Sequence, residues 1–444
     1  MYSDEDSTAS SVTTVTQEME EWLGIRYNPF SAEWRKQVLS LFLISDTGVR
    51  KEYWLHKRIN WSHHVQQLLH EGQFKTMYRM ELGDFNRLVS YLRSQIEPDW
   101  GQATRRNEIP IYSELIVAAG ICWLCLGSYH DIRNTFGVSV TGFYYSVGKF
   151  VDAVLGCKLL DIRLPSTASE WEEIRKDFAA KSRNNIIQGC VGAIDGFFQP
   201  IKCPTFEESD GNPRCYFSGH YNETGLNCQA VCDVHLRFIY FGVIAPGSTA
   251  DITAYRACGL SDIVDKFPLG IYFVGDAAYV VSEHMMTPFT GSHRKDTNKD
   301  SYNYHLSQTR IRIEMAFGLL TTKWTVLRRK LQTNLKNSAC VIETCARMHN
   351  FVLRCKADRG ELISSTKCIP ESEHITSDNQ IHQMEGAPLG IGYLPMNEDI
   401  PLVEGFTFTR DAILRRITEL RLRRPIENIE RRCRENEMRQ QNEE

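Results

Sequence analysis

Residues 186–196 read Ile-Ile-Gln-Gly-Cys-Val-Gly-Ala-Ile-Asp-Gly. Upstream, apolar residues recur at helical spacing; here they form a short, nearly continuous run, the pattern of a buried strand. The run ends on Asp195, and Gly196 follows. A second run, Ile271-Tyr-Phe-Val274, ends in the same way at Gly275-Asp276, with Ala277 and Ala278 beyond it. Small residues beside an acid let a ligand approach the backbone closely. Ligands of open sheets sit outside the carboxyl ends of strands, so two acids at two strand ends can face one crevice.

Between these runs, Leu226 to Val234 and Phe238 to Ile244 read as an antiparallel hairpin joined by His235-Leu-Arg237. Pro246-Gly-Ser-Thr249 is a turn, and Thr249 or Asp251 can cap a short helix through Cys258. Capping is the preferred role for Asp251, ahead of shaping the floor of a site. A polar loop over 288–303 leads to helices over about 307–327 and 338–355. Strand, hairpin, short helix, strand and helices is the order of an α/β, RNase H-like fold, a mixed sheet flanked by helices.

Glu314 stands between Ile313 and Met315 on an otherwise basic and apolar helix. A pair with Arg310, one turn away, is the bland explanation, but such a pair contributes only a few tenths of a kcal/mol. Phosphodiester chemistry gives a stronger reason for three acids. It needs an activated water or 3′-hydroxyl and a stabilised leaving oxygen, and two divalent ions about 3.5–4 Å apart supply both. Mg²⁺ takes hard oxygen ligands, a few carboxylates plus phosphate. Asp195, Asp276 and Glu314 are therefore the candidate catalytic and metal-binding residues for Mg²⁺ or Mn²⁺, two ions in all. Asp195 would bridge the ions, and the other two acids would hold one each.

The 444 residues suggest two to three domains. The first 21 hold six acids, no Lys or Arg, and eight Ser or Thr. This is the opposite of a secretory signal, so an intracellular protein with mostly reduced cysteines is expected. No apolar run approaches the roughly 18–20 residues of a membrane span. Net charge is −4, so nucleic-acid binding would have to come from local basic stretches. Residues 294–330 supply one, with nine Lys or Arg against three acids. The expected organisation is a disordered acidic tail (1–21), an all-α region (22–160), a catalytic domain (185–357), an acidic linker (358–409) and a charged C-terminal helix (410–444). In the all-α region, Tyr129 to Phe136, Gly137-Val-Ser139 and Thr141 to Val154 have the layout of a helix-turn-helix. An ordinary helical hairpin has the same layout. If the segment is a DNA reader, Thr141 to Lys149 would face a groove.

The stretches CVGAIDG (190–196), PGSTADITAYR (246–256), GDAAY (275–279) and YNYHLSQTRIRIEMAFGLLTTKW (302–324) resemble the catalytic domain of PIF/Harbinger-type transposases, a DDE group related to IS5-type enzymes. In that family the acids of the first, third and fourth motifs are metal ligands, and they match Asp195, Asp276 and Glu314; Arg310, Phe317 and Gly318 also match. The loop TGSHRKDTNKD (290–300) is more charged than the family leads one to expect. The resemblance implies a nucleus-located transposase or endonuclease that cleaves and joins double-stranded DNA at terminal inverted repeats and inserts into a target. It also implies a Myb-like accessory protein and a homo-oligomer, with no membrane role.

Arg294, Lys295, Lys299, Arg310, Arg312 and Lys323 flank Glu314 and are candidate phosphate contacts, with Thr141 and Lys149 from the helical region. The Arg-rich C-terminal helix is expected to make surface pairs or bind a partner. Two alternatives remain open: a domesticated, DNA-binding relative that does not cut, and an RNase H-like nuclease acting on RNA or hybrids.

Overall fold

The structure, a computed structural model, describes residues 58–101, 110–291, 296–361 and 408–425. All belong to one compact unit, His56–Glu444. The expected acidic tail, the start of the all-α region, nearly all of the linker and the chain beyond 425 lie outside the described residues.

The helical region opens with α1 (Trp61–His70), α2 (Phe74–Tyr78) and α3 (Leu82–Ile96). Trp61, Phe74 and Tyr78 gather around Phe85, with ring centroids 5.2–5.8 Å away. The face predicted from spacing, Phe85, Leu88, Val89 and Leu92, is buried. α4 (Ser113–Leu124) is apolar nearly all round and buried accordingly. α5 (Tyr129–Phe136) ends at Gly137, whose φ of 64° suits glycine. Ser139 then accepts a bond from Gly142 N and starts α6 (Val140–Gly156). α4 and α6 cross at Gly120, where a Cβ would run into the Phe150 ring. Residues 161–184, between the two expected domains, hold α7 (Ala168–Lys181), started by a Thr167/Glu170 capping box.

Next come β1 (Cys190–Pro200), β2 (Phe217–Ser218), β3 (Glu223–Cys232) and β4 (Phe238–Pro246). They are followed by α8 (Asp251–Ala257), α9 (Leu260–Val264), β5 (Tyr272–Val274) and β6 (Met285–Met286). The chain continues into α10 (Thr297–Lys323), α11 (Leu335–Asp358) and α12 (Phe408–Glu419). β4, β3 and β1 pair antiparallel, β1, β5 and β6 pair parallel, and β2 adds to the start of β3. The sheet is mixed and both faces are covered. Ala193, Phe197, Ala230 and Val274 enter the core with α10, α11 and the helical region. Ile194, Val231 and Phe273 enter a second core with Tyr255, Leu260 and Val264, against which Trp171 packs. Period-two alternation thus sends neighbouring residues to opposite cores.

Three boundaries differ from expectation. β1 continues past Asp195, because Phe197 and Gln199 are buried and pair on along β3. α10 begins ten residues early: Asp296 caps it through the amides of Asn298 and Lys299, and Tyr302 and Tyr304 are already core. The C-terminal helix spans only Phe408–Glu419 within the described residues, and its Ile413 and Ile417 are buried in the main core. Arg424 forks onto Asp300 at 2.9 and 3.0 Å, and Arg410 lies 3.5 Å over the Phe289 ring. Within the described residues, these two Arg contacts go to the chain's own Asp300 and Phe289.

α11 pins the β3–β4 turn, where Leu236 has a φ of 67°. Asn350 bonds Phe238 N and O, and the buried His349 Nε2 bonds Leu236 O at 2.8 Å. Burial holds the His349 pKa down to about 4, from 6.5. The unfolded chain takes up this proton first, so stability is full above pH 6.5 and falls as pH drops from 6.5 towards 4. The loss is up to about 3 kcal/mol. His349→Gln should lose less stability than wild type over that window in urea melts at pH 7 and 4.5. Parallel losses would show that His349 carries no such burden.

Candidate active site

β5 runs parallel to β1, and their last paired residues are Ala193 and Val274. Two residues beyond each lie Asp195 and Asp276, near enough for Asp276 to push the Asp195 carboxyl pKa up. Asp195 is not at a strand end, as the sequence suggests: β1 stays paired to β3, with Asp195 opposite Ala230. β5 stops at Val274, so Asp276 lies beyond the end of its strand. By alternation Asp195 shares the face of Ala193 and Phe197, the face that α10 covers. Phe197 packs on Phe317 at 5.1 Å, one turn beyond Glu314. That contact sets Glu314 over Asp195.

Arg310 links the two acids. Its Nη1 is 3.2 Å from Asp195 Oδ2, and its Nη2 is 2.5 Å from Glu314 Oε1. Burial raises the pKa of all three carboxyls, Asp195 to about 7. Arg310 opposes the rise at each acid, while Asp276 raises both Asp195 and Glu314. The carboxylates therefore face one another and are short of positive charge.

Among the described residues, no three His, Cys, Asp or Glu side chains stand close enough to hold an ion as they are. Arg310 bridges two of the three acids, and Asp276 Oδ1 accepts a bond from Ala278 N at 2.8 Å. The donor set still fits a hard divalent cation. All the donors are carboxylate oxygens, and both Glu314 oxygens are buried without a well-formed hydrogen bond despite the close guanidinium. Buried acceptors in that condition call for a ligand.

Behind Asp195 lies a second polar layer that the sequence reading missed. Asp251 does not cap α8; Ala250 is the cap residue, and no side chain bonds there. Asp251 Oδ1 instead accepts from Asn227 Nδ2 at 2.9 Å and Gln229 Nε2 at 3.2 Å. Tyr279 donates its hydroxyl to Gln229 Oε1 at 2.7 Å. Asn227 and Gln229 sit in an apolar-looking strand, and their polarity there was the available signal. Nearby, Tyr221 stacks on Phe198 at 4.3 Å and 12°, and its phenol feels Asp251, Asp195 and Asp276.

The candidate phosphate contacts divide. Arg312 is buried at 7% exposure, on the inward face of α10. Lys323 gives its ammonium to Arg79 O at 3.0 Å, tying the two regions together. Arg310 is engaged by the acids. These three are corrected: none presents its cation to an external phosphate in this state. Thr141 is exposed, and Lys299 and Lys149 are half-buried. Arg294 and Lys295 lie outside the described residues.

Gly196 turns the other way from Asp195. A Cβ there would lie 2.9 Å from Asp251 Cγ, and two amides hold that carboxylate in place. Gly196→Ala should cost about 1–3 kcal/mol, and most of that cost should vanish in an Asp251→Ala background. Simple additivity in this double-mutant cycle would mean that the crowding is not real.

A family profile described as DDE superfamily endonuclease matches residues 194–350, which include all three acids, Asp251 and Arg310. Searches of curated proteins and of solved structures gave no significant match. Over residues 194–350 this chain is similar to DDE superfamily endonucleases.

Proposed function

We propose that the chain is a divalent-metal-dependent transposase of the PIF/Harbinger kind, which cleaves and joins phosphodiester bonds at the ends of a mobile DNA element. The observation that carries this reading is the convergence of Asp195, Asp276 and Glu314, brought about by the β1–β5 register and the Phe197–Phe317 contact. The match to DDE superfamily endonucleases over the same residues supports it.

Asp195 would bridge two ions from the rigid strand β1, while Asp276 and Glu314 would hold one each. Bound Mg²⁺ or Mn²⁺ would supply an activated water or 3′-hydroxyl and neutralise the leaving oxygen. The Asn227–Gln229–Asp251 layer fixes the strand beneath the site, and α10 packs over the strand that carries Asp195. Lys299, with Arg294 and Lys295 shortly before it in sequence, would meet the phosphate backbone. In the helical region the exposed first turns of α6 present Thr141, Tyr144 and Tyr145 to a DNA groove, with Lys149 beside them. A protein that acts on transposon ends and target DNA would reside in the nucleus, and would act as a homo-oligomer that joins two ends, with a Myb-like accessory protein.

The test is incubation of the full chain with supercoiled plasmid and labelled duplex in Mg²⁺ or Mn²⁺. Metal-dependent strand cleavage is expected. Asp195→Asn, Asp276→Asn and Glu314→Gln should each lower it at least about a hundredfold, since each ion is worth several kcal/mol to the transition state. Binding without cleavage, unchanged in these variants, would instead favour a domesticated DNA-binding protein. Cleavage of RNA–DNA hybrid alone would favour an RNase H-type nuclease.

A further inference from the structure

The guanidinium of Arg310 stands where the proposed ions would sit. It is 13% exposed, and its two terminal nitrogens reach carboxylates of different elements, Asp195 on β1 and Glu314 on α10. Among the described residues, both acids make their ion pairs with this one side chain. Two buried carboxylates without a counter-charge would be costly to the fold. A divalent ion on the same oxygens would reverse the balance, leaving Arg310 as a surplus cation beside it.

We infer that Arg310 is the resident counter-cation of the acidic site, that a divalent ion must displace it, and that the freed guanidinium turns to a phosphate of the bound DNA. The inference rests on the metal-dependent reading above. Arg310 is then a positioning residue with two partners in succession. Without metal it holds the strand acid and the helix acid together. With metal, its planar fork of donors suits a phosphate better than a lysine would. The sequence reading placed Arg310 among the DNA contacts, whereas the structure shows it spent on the acids; succession reconciles the two. Metal and DNA binding become coupled through one side chain, and the coupling acts equally in both directions.

Mn²⁺ titrated calorimetrically into the DNA-free full chain at pH 8 tests the first half. Arg310→Met should bind Mn²⁺ about tenfold more tightly than wild type, because it removes a competing cation. Arg310→Lys can reach only one of the two acids and should fall between them; it also carries the test if the Met variant does not fold. Duplex binding in Ca²⁺ and in EDTA tests the second half. The loss of DNA affinity in Arg310→Met should be several-fold larger with Ca²⁺ than with EDTA. Mn²⁺ affinity that is unchanged or weaker in the folded variants overturns the inference, as does an equal DNA deficit with and without ion. If wild type binds Mn²⁺ and the variants bind it no better, only this inference falls. If neither wild type nor variant binds the ion, the proposed function falls with it.

Discussion

Parallel pairing between β1 and β5 ends at Ala193 and Val274, and the site depends on where it ends. The register cannot slip, because a shift by one residue would exchange the faces that enter the two cores. Ala193 and Val274 pack under α10, and Ile194 and Phe273 pack towards α8 and α9. The hydrophobic alternation that builds the sheet therefore also aims Asp195 at α10 and Gly196 at Asp251. The helix completes the arrangement through Phe317 on Phe197, and Arg310 bridges Glu314 to Asp195.

The cost of this arrangement is electrostatic. Three carboxyls stand half-buried near one another, and all three are held above their ordinary pKa values. The fold answers with one guanidinium at the front and a network of amides behind. Asn227 and Gln229 turn their donors to Asp251, so that acid is satisfied inside the fold. Asp195 and Glu314 share Arg310, and Glu314 is left under-bonded. Fully satisfied acids read as structure; under-satisfied ones at a crevice read as function.

Much of this was legible in the sequence. Apolar runs ending on Asp195 and Asp276 marked the strands, and the hairpin was plain from its alternation and turn. The second layer was not legible, since a capping Asp and a site-floor Asp look alike until Asn227 and Gln229 are known to face it. Charge alone also misled. Arg310, Arg312 and Lys323 lie in one basic stretch, but a helix covered on several sides turns some of its cations inward. Arg312 is buried and Lys323 ties α10 to the helical region. The early start of α10 escaped notice because the polar residues 297–303 look like loop until Asp296 is seen as their cap. The charged C-terminal helix looked outward-facing, because its cover, α10, could be known only from tertiary packing.

The central claim is that Asp195, Asp276 and Glu314 make one hard-cation site. Anomalous diffraction from crystals of the full chain soaked in Mn²⁺ tests it most directly. The account predicts peaks at about 2.0–2.2 Å from carboxylate oxygens of these three residues, with Arg310 moved off Asp195 and Glu314. An empty crevice with Arg310 still bridging the acids, at Mn²⁺ concentrations that support strand cleavage, would contradict it.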